Sequence, residues 1–247
     1  MMRRFDGMRA LVTGAAHGIG ASTCRRLADE GAAVFVADID SAAAAQLANE
    51  FGPAATATAT DVGDPTACSE LARGFADGGD GGLDVLVNNA FTVTINPAGQ
   101  LAAADWEREI DLNLSGVYHG VHALLPLLHR SRGAVVNVSS VHAVVGYPGH
   151  PGYAAAKRGV TPLTRQLCAD YTTAVGFHAV LPGAIHTRIW NNVSETDKTH
   201  HAARAAEKRL GTPEEMATAI AFLSSEDASY ITGACLAVDG GLTSCWY

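Results

Sequence analysis

Seven short apolar segments alternate along the chain with longer segments of helical periodicity, and this alternation limits the possible folds more than any other feature. The predicted strands are Ala10–Thr13, Ala33–Ala37, Ala54–Thr60, Leu83–Asn88, Ala134–Val138, Phe177–Leu181 and Cys235–Val238. The predicted helices cover residues 18–30, 41–50, 65–77, 102–130, 151–174 and 213–224. Such alternation predicts an α/β fold, a doubly wound parallel sheet of about seven strands with helices on both faces. Since no repeat or linker divides residues 1–247, we predict one domain.

The alternation is interrupted once, between Pro182 and Pro213, by a polar stretch rich in histidine and alanine. Proteins with α/β sheets bind ligands at the C-terminal ends of their strands, so an insertion here predicts a substrate lid at about residues 186–212. A plain surface helix around Lys198–Arg209 would explain the same composition. The sequence leaves both interpretations open.

The composition excludes several classes of function. The chain has 17 Lys and Arg against 25 Asp and Glu, a net charge of −8 without a basic cluster, which disfavours nucleic-acid and anionic-membrane binding. Its longest apolar runs, such as Ala32–Ala37, are too short to span a membrane. Five scattered cysteines without a Cys-x-x-Cys pattern favour reduced thiols and a cytoplasmic protein. Ten histidines lack further ligands at metal-binding spacing, so we predict no metal site.

A glycine-rich turn, Thr13–Gly20, leads from the first strand directly into the first helix. Glycines there allow the backbone to approach a pyrophosphate bound at the helix N-terminus. Asp38 ends the second strand, where a carboxylate can accept hydrogen bonds from ribose hydroxyls and would repel a 2′-phosphate. Residues 37–40 contain no Arg or Lys, so NAD is favoured over NADP. Asp38 as a helix N-cap is the alternative, but Asp40 or Ser41 fits that position better.

Tyr153 and Lys157 lie four residues apart in a helical segment that begins near Pro151, so their side chains project from one face. A nearby ammonium favours the phenolate and predicts a lowered pKa for the tyrosine, as would the positive charge of NAD⁺. The tyrosine would then exchange a proton with an alcohol or a carbonyl. The spacing alone is common by chance. Ser140, which follows the fifth strand and precedes Tyr153 by 13 residues, gives it context.

In their order and spacing these motifs resemble the compact form of the short-chain dehydrogenase/reductase family, from Arg9 to Gly241. The motifs are Thr13–Gly20, Asp61-Val62, Asn88-Asn89-Ala90, Asn113, Ser140, Tyr153 with Lys157, Pro182-Gly183, Thr232-Gly233 and Asp239-Gly240-Gly241. The resemblance implies a Rossmann-like sheet with Tyr153 as general acid/base and Lys157 bound to the nicotinamide ribose. It also implies that Ser140 hydrogen-bonds the substrate oxygen and that Asn113 bends its helix and holds a relay water.

The resemblance implies a set of cofactor-binding residues as well. They are Gly14, His17, Gly18, Ile19, Gly20, Asp38, Asp61, Val62, Asn88, Ala90, Tyr153, Lys157, Pro182, Gly183, Ile185 and Thr187. The sequence departs from the family pattern at three places: Phe91 replaces the usual glycine, Phe177–Ala179 replaces Arg-Val-Asn, and Cys245–Tyr247 extend past the usual end. None of these departures changes the four catalytic positions.

Positions that flank the catalytic residues predict the substrate contacts. They are His142, Val144, Tyr147 and Trp190, followed by Phe91, Val93, Ile185 and Trp246. These side chains are mainly apolar or aromatic, and the nearest cation is Arg188 beside the lid, so we predict a neutral secondary alcohol or ketone as substrate. Compact family members are commonly homotetramers. Apolar stretches in residues 102–130 and 151–174 agree with such an assembly, although packing against the sheet explains part of the same pattern.

The sequence thus predicts an oxidoreductase that transfers a hydride between NAD(H) and a small secondary alcohol or ketone. A non-catalytic NAD-binding redox sensor or scaffold on the same fold is the alternative from another class. Such a protein would have no reason to keep Asn113, Ser140, Tyr153 and Lys157 together. Epimerisation or dehydration with the same Tyr/Lys pair is a third interpretation, but those relatives usually carry a larger C-terminal substrate domain.

Overall fold

Seven parallel strands form one sheet in the order β3-β2-β1-β4-β5-β6-β7. The structure, a computed structural model, describes residues 3–77, 81–171 and 173–245. The strands are β1 Arg9–Thr13, β2 Ala33–Asp38, β3 Ala55–Ala59, β4 Val85–Asn88, β5 Ala134–Val138, β6 Gly176–Pro182 and β7 Cys235–Val238. Their order reverses between β1 and β4, and a doubly wound sheet opens a binding crevice at that point. The predicted fold class is confirmed, and every strand bound lies within two residues of its prediction.

Eight α-helices connect the strands within the described residues. They are α1 Gly18–Asp29, α2 Ser41–Glu50, α3 Pro65–Asp77, α4 Ala103–Ile110, α5 Gly116–Ser131, α6 Pro151–Tyr171, α7 Glu195–Ala203 and α8 Pro213–Leu223. The segment predicted as one helix over residues 102–130 is helical without a break, and a π turn over Asp111–Ser115, which contains Asn113, lies between α4 and α5. A π turn adds a residue to the helical repeat and is frequent at functional sites. Among the residues described, no helix combines the length and the apolar character that a membrane span requires.

The sheet is buried on both faces because successive residues of each strand point to opposite sides. Val12 and Val87 pack on the face covered by α1 and α8. Leu11 and Leu86 pack on the opposite face, which α3 and α5 cover. These side chains are fully buried, and each contributes about 2 kcal/mol of hydrophobic stabilisation. The sheet is therefore a rigid base for the residues at its C-terminal edge.

A buried chain of polar side chains joins the middle of the sheet to α6. The Asn88 amide donates to Asn137 Oδ1 at 2.8 Å, and the Asn137 amide donates to Thr164 Oγ1 at 3.0 Å. The Ser139 hydroxyl donates to the Lys157 carbonyl at 2.7 Å. Buried hydrogen bonds of this kind fix the elements that they connect, because breaking one leaves an unsatisfied polar group away from water. They hold the start of α6 against the ends of β4 and β5.

The interrupted segment between β6 and α8 contains a 3₁₀ turn, Arg188–Trp190, and then α7. The Ser194 hydroxyl caps α7 by accepting from the Asp197 N–H at 3.1 Å. The observed helix begins and ends earlier than the predicted surface helix at Lys198–Arg209. Its outer face is exposed, while Trp190 and His201 on the inner side line the cavity at the edge of the sheet. The segment therefore is a surface helix and also one wall of that cavity.

Candidate active site

A cavity of about 830 Å³ lies at the C-terminal edge of the sheet, between the glycine-rich turn, the ends of β4 to β6 and α7. The predicted cofactor residues that line it are Gly14, His17, Gly18, Ile19, Asp38, Asp61, Val62, Ala90, Tyr153, Lys157, Pro182, Gly183, Ile185 and Thr187. Ser140, His142, Tyr147 and Trp190 line the same cavity. The fold thus brings most of both predicted sets of residues together at one cavity.

The glycine-rich turn forms an open cradle at the N-terminus of α1. Gly14 and Gly18 have φ angles of +59° and +54°, and a Cβ on Gly14 would lie 2.6 Å from the Ala90 Cα. His17 provides no capping side-chain hydrogen bond, and the first turn of α1 carries no acid. His17 Nε2 is buried without a hydrogen-bond partner among the described residues. An uncapped helix N-terminus binds anions, so the turn fits the pyrophosphate of a dinucleotide.

Of the two neighbouring asparagines at the end of β4, only the second lines the cavity. Asn88, predicted to bind the cofactor, does not line the cavity, because its amide points into the core and bonds Asn137. Asn89, which the sequence analysis did not single out, lines the cavity and donates to the carbonyls of Thr13 and Gly14 at 3.0 and 2.8 Å. Asn89 therefore fixes the backbone of the glycine-rich turn from the neighbouring strand.

Gly20 and Val144 also lie away from the cavity to which the sequence assigned them. A Cβ on Gly20 would overlap the Gly14 carbonyl, so this glycine allows α1 to pack closely against the turn. Val144 is 54% exposed and lines a separate cavity of about 430 Å³. It follows a 3₁₀ turn, Val141–Ala143, and three residues per turn direct residues 142 and 144 to different sides.

Asp38 connects the glycine-rich turn to the start of α2. Its Oδ2 accepts from the Ala16 N–H at 2.9 Å, and its Oδ1 accepts from the Asp40 N–H at 3.0 Å. Asp40, rather than Asp38, caps α2 by accepting from the Ala43 N–H at 3.0 Å. A carboxylate oxygen accepts more than one hydrogen bond, so Asp38 keeps capacity for hydroxyl donors in the cavity.

Tyr153 and Lys157 lie on the first turns of α6 and face the end of β5. The Lys157 ammonium is 5.8 Å from the centre of the Tyr153 ring and donates to the Val138 carbonyl at 2.8 Å. Ser140 hydrogen-bonds the Tyr153 side chain and also accepts from the His142 N–H at 3.2 Å. The arrangement brings a hydroxyl, a phenol and an amine to one end of the cavity.

The electrostatics of this pair differ from the expectation. Burial raises the pKa of Tyr153 to about 12, although the hydrogen bond with Ser140 acts in the opposite direction. Burial lowers the pKa of Lys157 to about 7. The predicted net lowering of the pKa of Tyr153 is therefore not found in this arrangement, because removal of water is the largest effect and favours the neutral form of both groups. A neutral phenol in this position is a proton donor.

Asn113 lies in the π turn and is completely buried, so it does not line the cavity. Its amide donates to the Thr92 carbonyl at 2.8 Å and its Oδ1 accepts from the Thr92 N–H at 3.1 Å. One turn earlier, Glu109 accepts from the Thr94 N–H at 2.5 Å. No motif in the sequence marks Glu109, although its spacing of four residues from Asn113 places both side chains on one side of the helix. Both side chains hold residues 91–95, a wall of the cavity.

Aromatic side chains form the wall next to Tyr153. The His142 ring stacks on Tyr147 with centroids 4.6 Å apart, and it lies 4.7 Å from His150 and 5.3 Å from Tyr153. Its Nδ1 is buried without a hydrogen-bond partner in the described part of the chain. Burial lowers the pKa of His142 to about 4, so this ring is neutral at physiological pH.

The facing wall comes from the β4 loop and the segment before α7. Phe91 lies edge-on to Tyr153 with centroids 6.3 Å apart. The Trp190 indole donates to the Ile185 carbonyl at 2.8 Å, and its ring is 5.1 Å from His201. The predicted contact of Trp246 lies outside the described residues. Within the described ranges, no group of three His, Cys, Asp or Glu side chains is placed to hold a metal ion.

Comparisons with known proteins agree with this geometry. A family model described as enoyl-(acyl carrier protein) reductase matches residues 14–243. A cis-4-hydroxycyclohexanecarboxylate dehydrogenase from Sinomonas cyclohexanicum is 42% identical over 241 residues, which are 95% of this chain and 96% of the relative. A cyclohexanol dehydrogenase from Acinetobacter sp. (strain SE19) is 36% identical over 250 residues, 99% of this chain and 98% of the relative.

A crystal structure shares the fold over nearly its whole length. It is that of a gluconate 5-dehydrogenase from Burkholderia cenocepacia J2315 in complex with NADP and tartrate, with a TM-score of 0.92 and 32% sequence identity over 99% of this chain and 98% of that one. The fold binds a nicotinamide cofactor, and these relatives are oxidoreductases with small-molecule substrates. The chain is accordingly an oxidoreductase and, as its motifs predicted, belongs to the short-chain dehydrogenase/reductase family.

Proposed function

We propose that this protein is an NAD(H)-dependent alcohol dehydrogenase or ketone reductase that uses Tyr153 as its general acid/base. One observation carries the proposal: the phenol of Tyr153, which lines the cavity, hydrogen-bonds Ser140 at one end of it, and the buried Lys157 lies one helical turn away. A substrate oxygen beside these two hydroxyls would meet both a hydrogen-bond donor and a proton donor.

The residues divide the chemistry between them. A nicotinamide ring, when bound, supplies or accepts the hydride. The N-terminus of α1 would hold the diphosphate, Asp38 the adenosine ribose, and the segment Pro182–Thr187 the nicotinamide end. Ser140 hydrogen-bonds the substrate oxygen, and Tyr153 gives a proton to a carbonyl or takes one from an alcohol. In its ammonium form, Lys157 favours the phenolate through its charge.

We propose NAD(H) rather than NADP(H) because the carboxylate of Asp38 lines the cavity at the end of β2. A 2′-phosphate beside it would meet a negative charge. We expect kcat/KM with NAD⁺ to exceed that with NADP⁺ by about a hundredfold, and Asp38→Asn to reduce this preference. The control is Asp40→Asn, which removes a neighbouring charge that caps α2. Equal or better turnover with NADP⁺ would refute the proposal.

We propose a neutral secondary alcohol or ketone as substrate, because apolar and aromatic side chains form most of the cavity next to Tyr153. Relatives named for cyclohexanol and for cis-4-hydroxycyclohexanecarboxylate share a ring that carries a secondary hydroxyl. Arg108 and Arg188 line the same cavity with exposed side chains, so a carboxylate is the matched alternative. We therefore compare these two compounds directly. Turnover of the carboxylate without turnover of cyclohexanol or its relatives would exclude the neutral class.

Replacement of Tyr153 by phenylalanine separates an enzyme from a sensor that only binds NAD. We expect Tyr153→Phe to lose nearly all turnover of ring alcohols while it still binds NADH, measured by the fluorescence of the nucleotide. The matched control, Tyr230→Phe, removes a hydroxyl from a fully exposed tyrosine outside the cavity. NADH binding without turnover of any alcohol or ketone by the unmodified protein would favour the sensor.

We propose further that residues 1–247 form one domain and that residues 186–212 act as a substrate lid. We also propose that the protein is a homotetramer and that it is cytoplasmic. Trp106 and Tyr118, on α4 and α5, expose 42% and 50% of their surface, which favours burial against another subunit. Five free cysteines agree with a reducing compartment. Light scattering measures the assembly, and a monomer would refute it.

A further inference from the structure

Glu109 is a carboxylate buried beside the active site for which the reaction above gives no role. The residue is completely inaccessible to solvent, and no cation forms an ion pair with it among the described residues. Its Oε1 accepts from the Thr94 N–H, but its Oε2 is buried without a hydrogen-bond partner in the described chain. Burial of a carboxyl group with only one hydrogen bond reduces the free energy of unfolding by several kcal/mol, which is as large as the effect of the most destabilising single substitutions.

The unpartnered oxygen lies against the first turn of α6. A Cβ on Gly152 would overlap Glu109 Oε2, so the carboxylate touches the backbone immediately before Tyr153. α6 begins at Pro151, and the first N–H groups of a helix have no partners within it and form the positive end of its dipole. A negative charge here opposes the effect that this dipole would otherwise have on the phenol.

Glu109 also belongs to a clamp on the cavity wall. Asn113 binds both backbone groups of Thr92, and Glu109 binds the N–H of Thr94, so two side chains one helical turn apart hold alternate residues of the segment 91–95. Phe91 and Val93, the residues of this segment that lie on either side of Thr92, line the cavity. Loss of the second bond would free one end of the wall.

We propose that Glu109 is a positioning residue with two effects: it fixes the wall segment 91–95, and in its ionised form its charge keeps the proton on Tyr153. The inference rests on the role proposed above for Tyr153. Its charge adds to burial in raising the pKa of that tyrosine. A phenol that retains its proton is prepared to protonate a carbonyl, and alcohol oxidation then requires alkaline conditions.

The other polar groups around Tyr153 do not supply this effect. The hydrogen bond with Ser140 lowers the pKa of the phenol, and Lys157, 5.8 Å from the ring centre, is a cation when charged. The rings of His142 and His150 lie 5.3 and 6.5 Å from the Tyr153 ring and carry no negative charge. The proton on Tyr153 is therefore favoured by exclusion of water and by Glu109.

Direct titration of Tyr153 tests the charge effect without turnover. The absorbance of tyrosinate is followed against pH in the unmodified protein and in Tyr153→Phe, and their difference isolates Tyr153. The same two proteins are then measured with Glu109→Gln added to each. Glutamine keeps the shape of the side chain and an acceptor for the Thr94 N–H, but it removes the charge. We expect ionisation of Tyr153 at a pH about one unit lower. Glu107→Gln, on the exposed side of α4, is the matched control and should cause no shift.

Kinetics test both effects in the active enzyme. We expect the pH profile of kcat for alcohol oxidation to move to lower pH in Glu109→Gln, with KM unchanged. Glu109→Val also removes the bond to Thr94, so its KM should rise about fivefold, the equivalent of one hydrogen bond. Unchanged titration of Tyr153 in Glu109→Gln would overturn the charge effect, and unchanged KM in a folded Glu109→Val would overturn the clamp. If Tyr153→Phe keeps its turnover, the proposed function fails, whereas the titration still decides the influence of Glu109.

Discussion

The imidazole of His178 is buried in β6, with 2% of its surface exposed, and its Nδ1 has no hydrogen-bond partner among the described residues. Burial lowers its pKa from 6.5 to about 4, because the charged form would lose its hydration. The site plays no part in the proposed reaction. It therefore allows a prediction of stability that is independent of the enzymatic activity.

The sign follows from the difference between the folded and the unfolded chain. A histidine whose pKa is lower in the folded state destabilises that state once the unfolded chain binds the proton. At a pH above 6.5, the pKa of His178 in the unfolded chain, the residue does not reduce the free energy of unfolding. As the pH falls towards the folded pKa of about 4, it reduces that free energy increasingly. The full penalty is about 3 kcal/mol, and between about pH 7.5 and about pH 5 the free energy of unfolding falls by about 2 kcal/mol because of this residue.

The assay compares His178→Leu with the unmodified protein by urea unfolding at both pH values and at one protein concentration. Leucine has no titrating group and a similar volume, so the loss of stability on acidification should be about 2 kcal/mol smaller in the variant. His142, whose pKa burial also lowers to about 4, is present in both proteins and cancels in the comparison. His122→Leu is the control, because His122 is exposed.

An identical loss of stability on acidification in His178→Leu and in the unmodified protein would refute this reasoning. It would mean that His178 is hydrated or hydrogen-bonded at low pH, in spite of its burial. A smaller loss in both histidine variants would show instead that removal of any histidine has the effect. The two outcomes are distinguishable because His178 is buried, whereas His122 is exposed.

Three other changes test contacts around the site and in the core. Gly14→Ala places a side chain at a φ of +59° and 2.6 Å from the Ala90 Cα, so we expect NADH to bind about tenfold more weakly in a fluorescence titration. The control is Gly52→Ala, which has a similar φ of +67° but lies in open space and should bind NADH normally. Asn113→Ala removes both hydrogen bonds to Thr92, and we expect kcat/KM to fall about tenfold in steady-state assays. Glu30→Gln removes a buried charge held by two arginines and should cost about 3 kcal/mol in urea unfolding.

The strands and most helices were predictable because their signal is local. The apolar run of β5 and the helical period of α8 are each contained in a single stretch of sequence, and both elements lie where they were predicted. The π turn at Asp111–Ser115 was not predictable in this way. An amphipathic pattern over residues 102–130 is compatible with one continuous helix. The extra residue of the turn is stabilised by contacts with Thr92, which lies far away in the sequence.

The candidate site could likewise be predicted only in part. Motif order located the glycine-rich turn and the end of β5, but it assigned a place in the cavity to Asn88, whereas Asn89 is the asparagine that lines it. Strand alternation contains the missing information: Leu86 packs with α3 and α5, so Asn88, two residues later, points to the same buried face. Asn89 is then free to bond the glycine-rich turn. The alternation of side chains along a strand thus indicates which asparagine faces the cavity better than the motif alone does.

The protonation states of Tyr153 and Lys157 cannot be read from either kind of local signal. A spacing of four residues correctly places Tyr153 and Lys157 on one side of α6. Which of them holds a proton depends on exclusion of water by the walls of the cavity and on Glu109, which belongs to another helix. Since these groups come from elements far apart in the sequence, the motif predicts which side chains meet, while the surrounding fold decides which protonation state each of them favours.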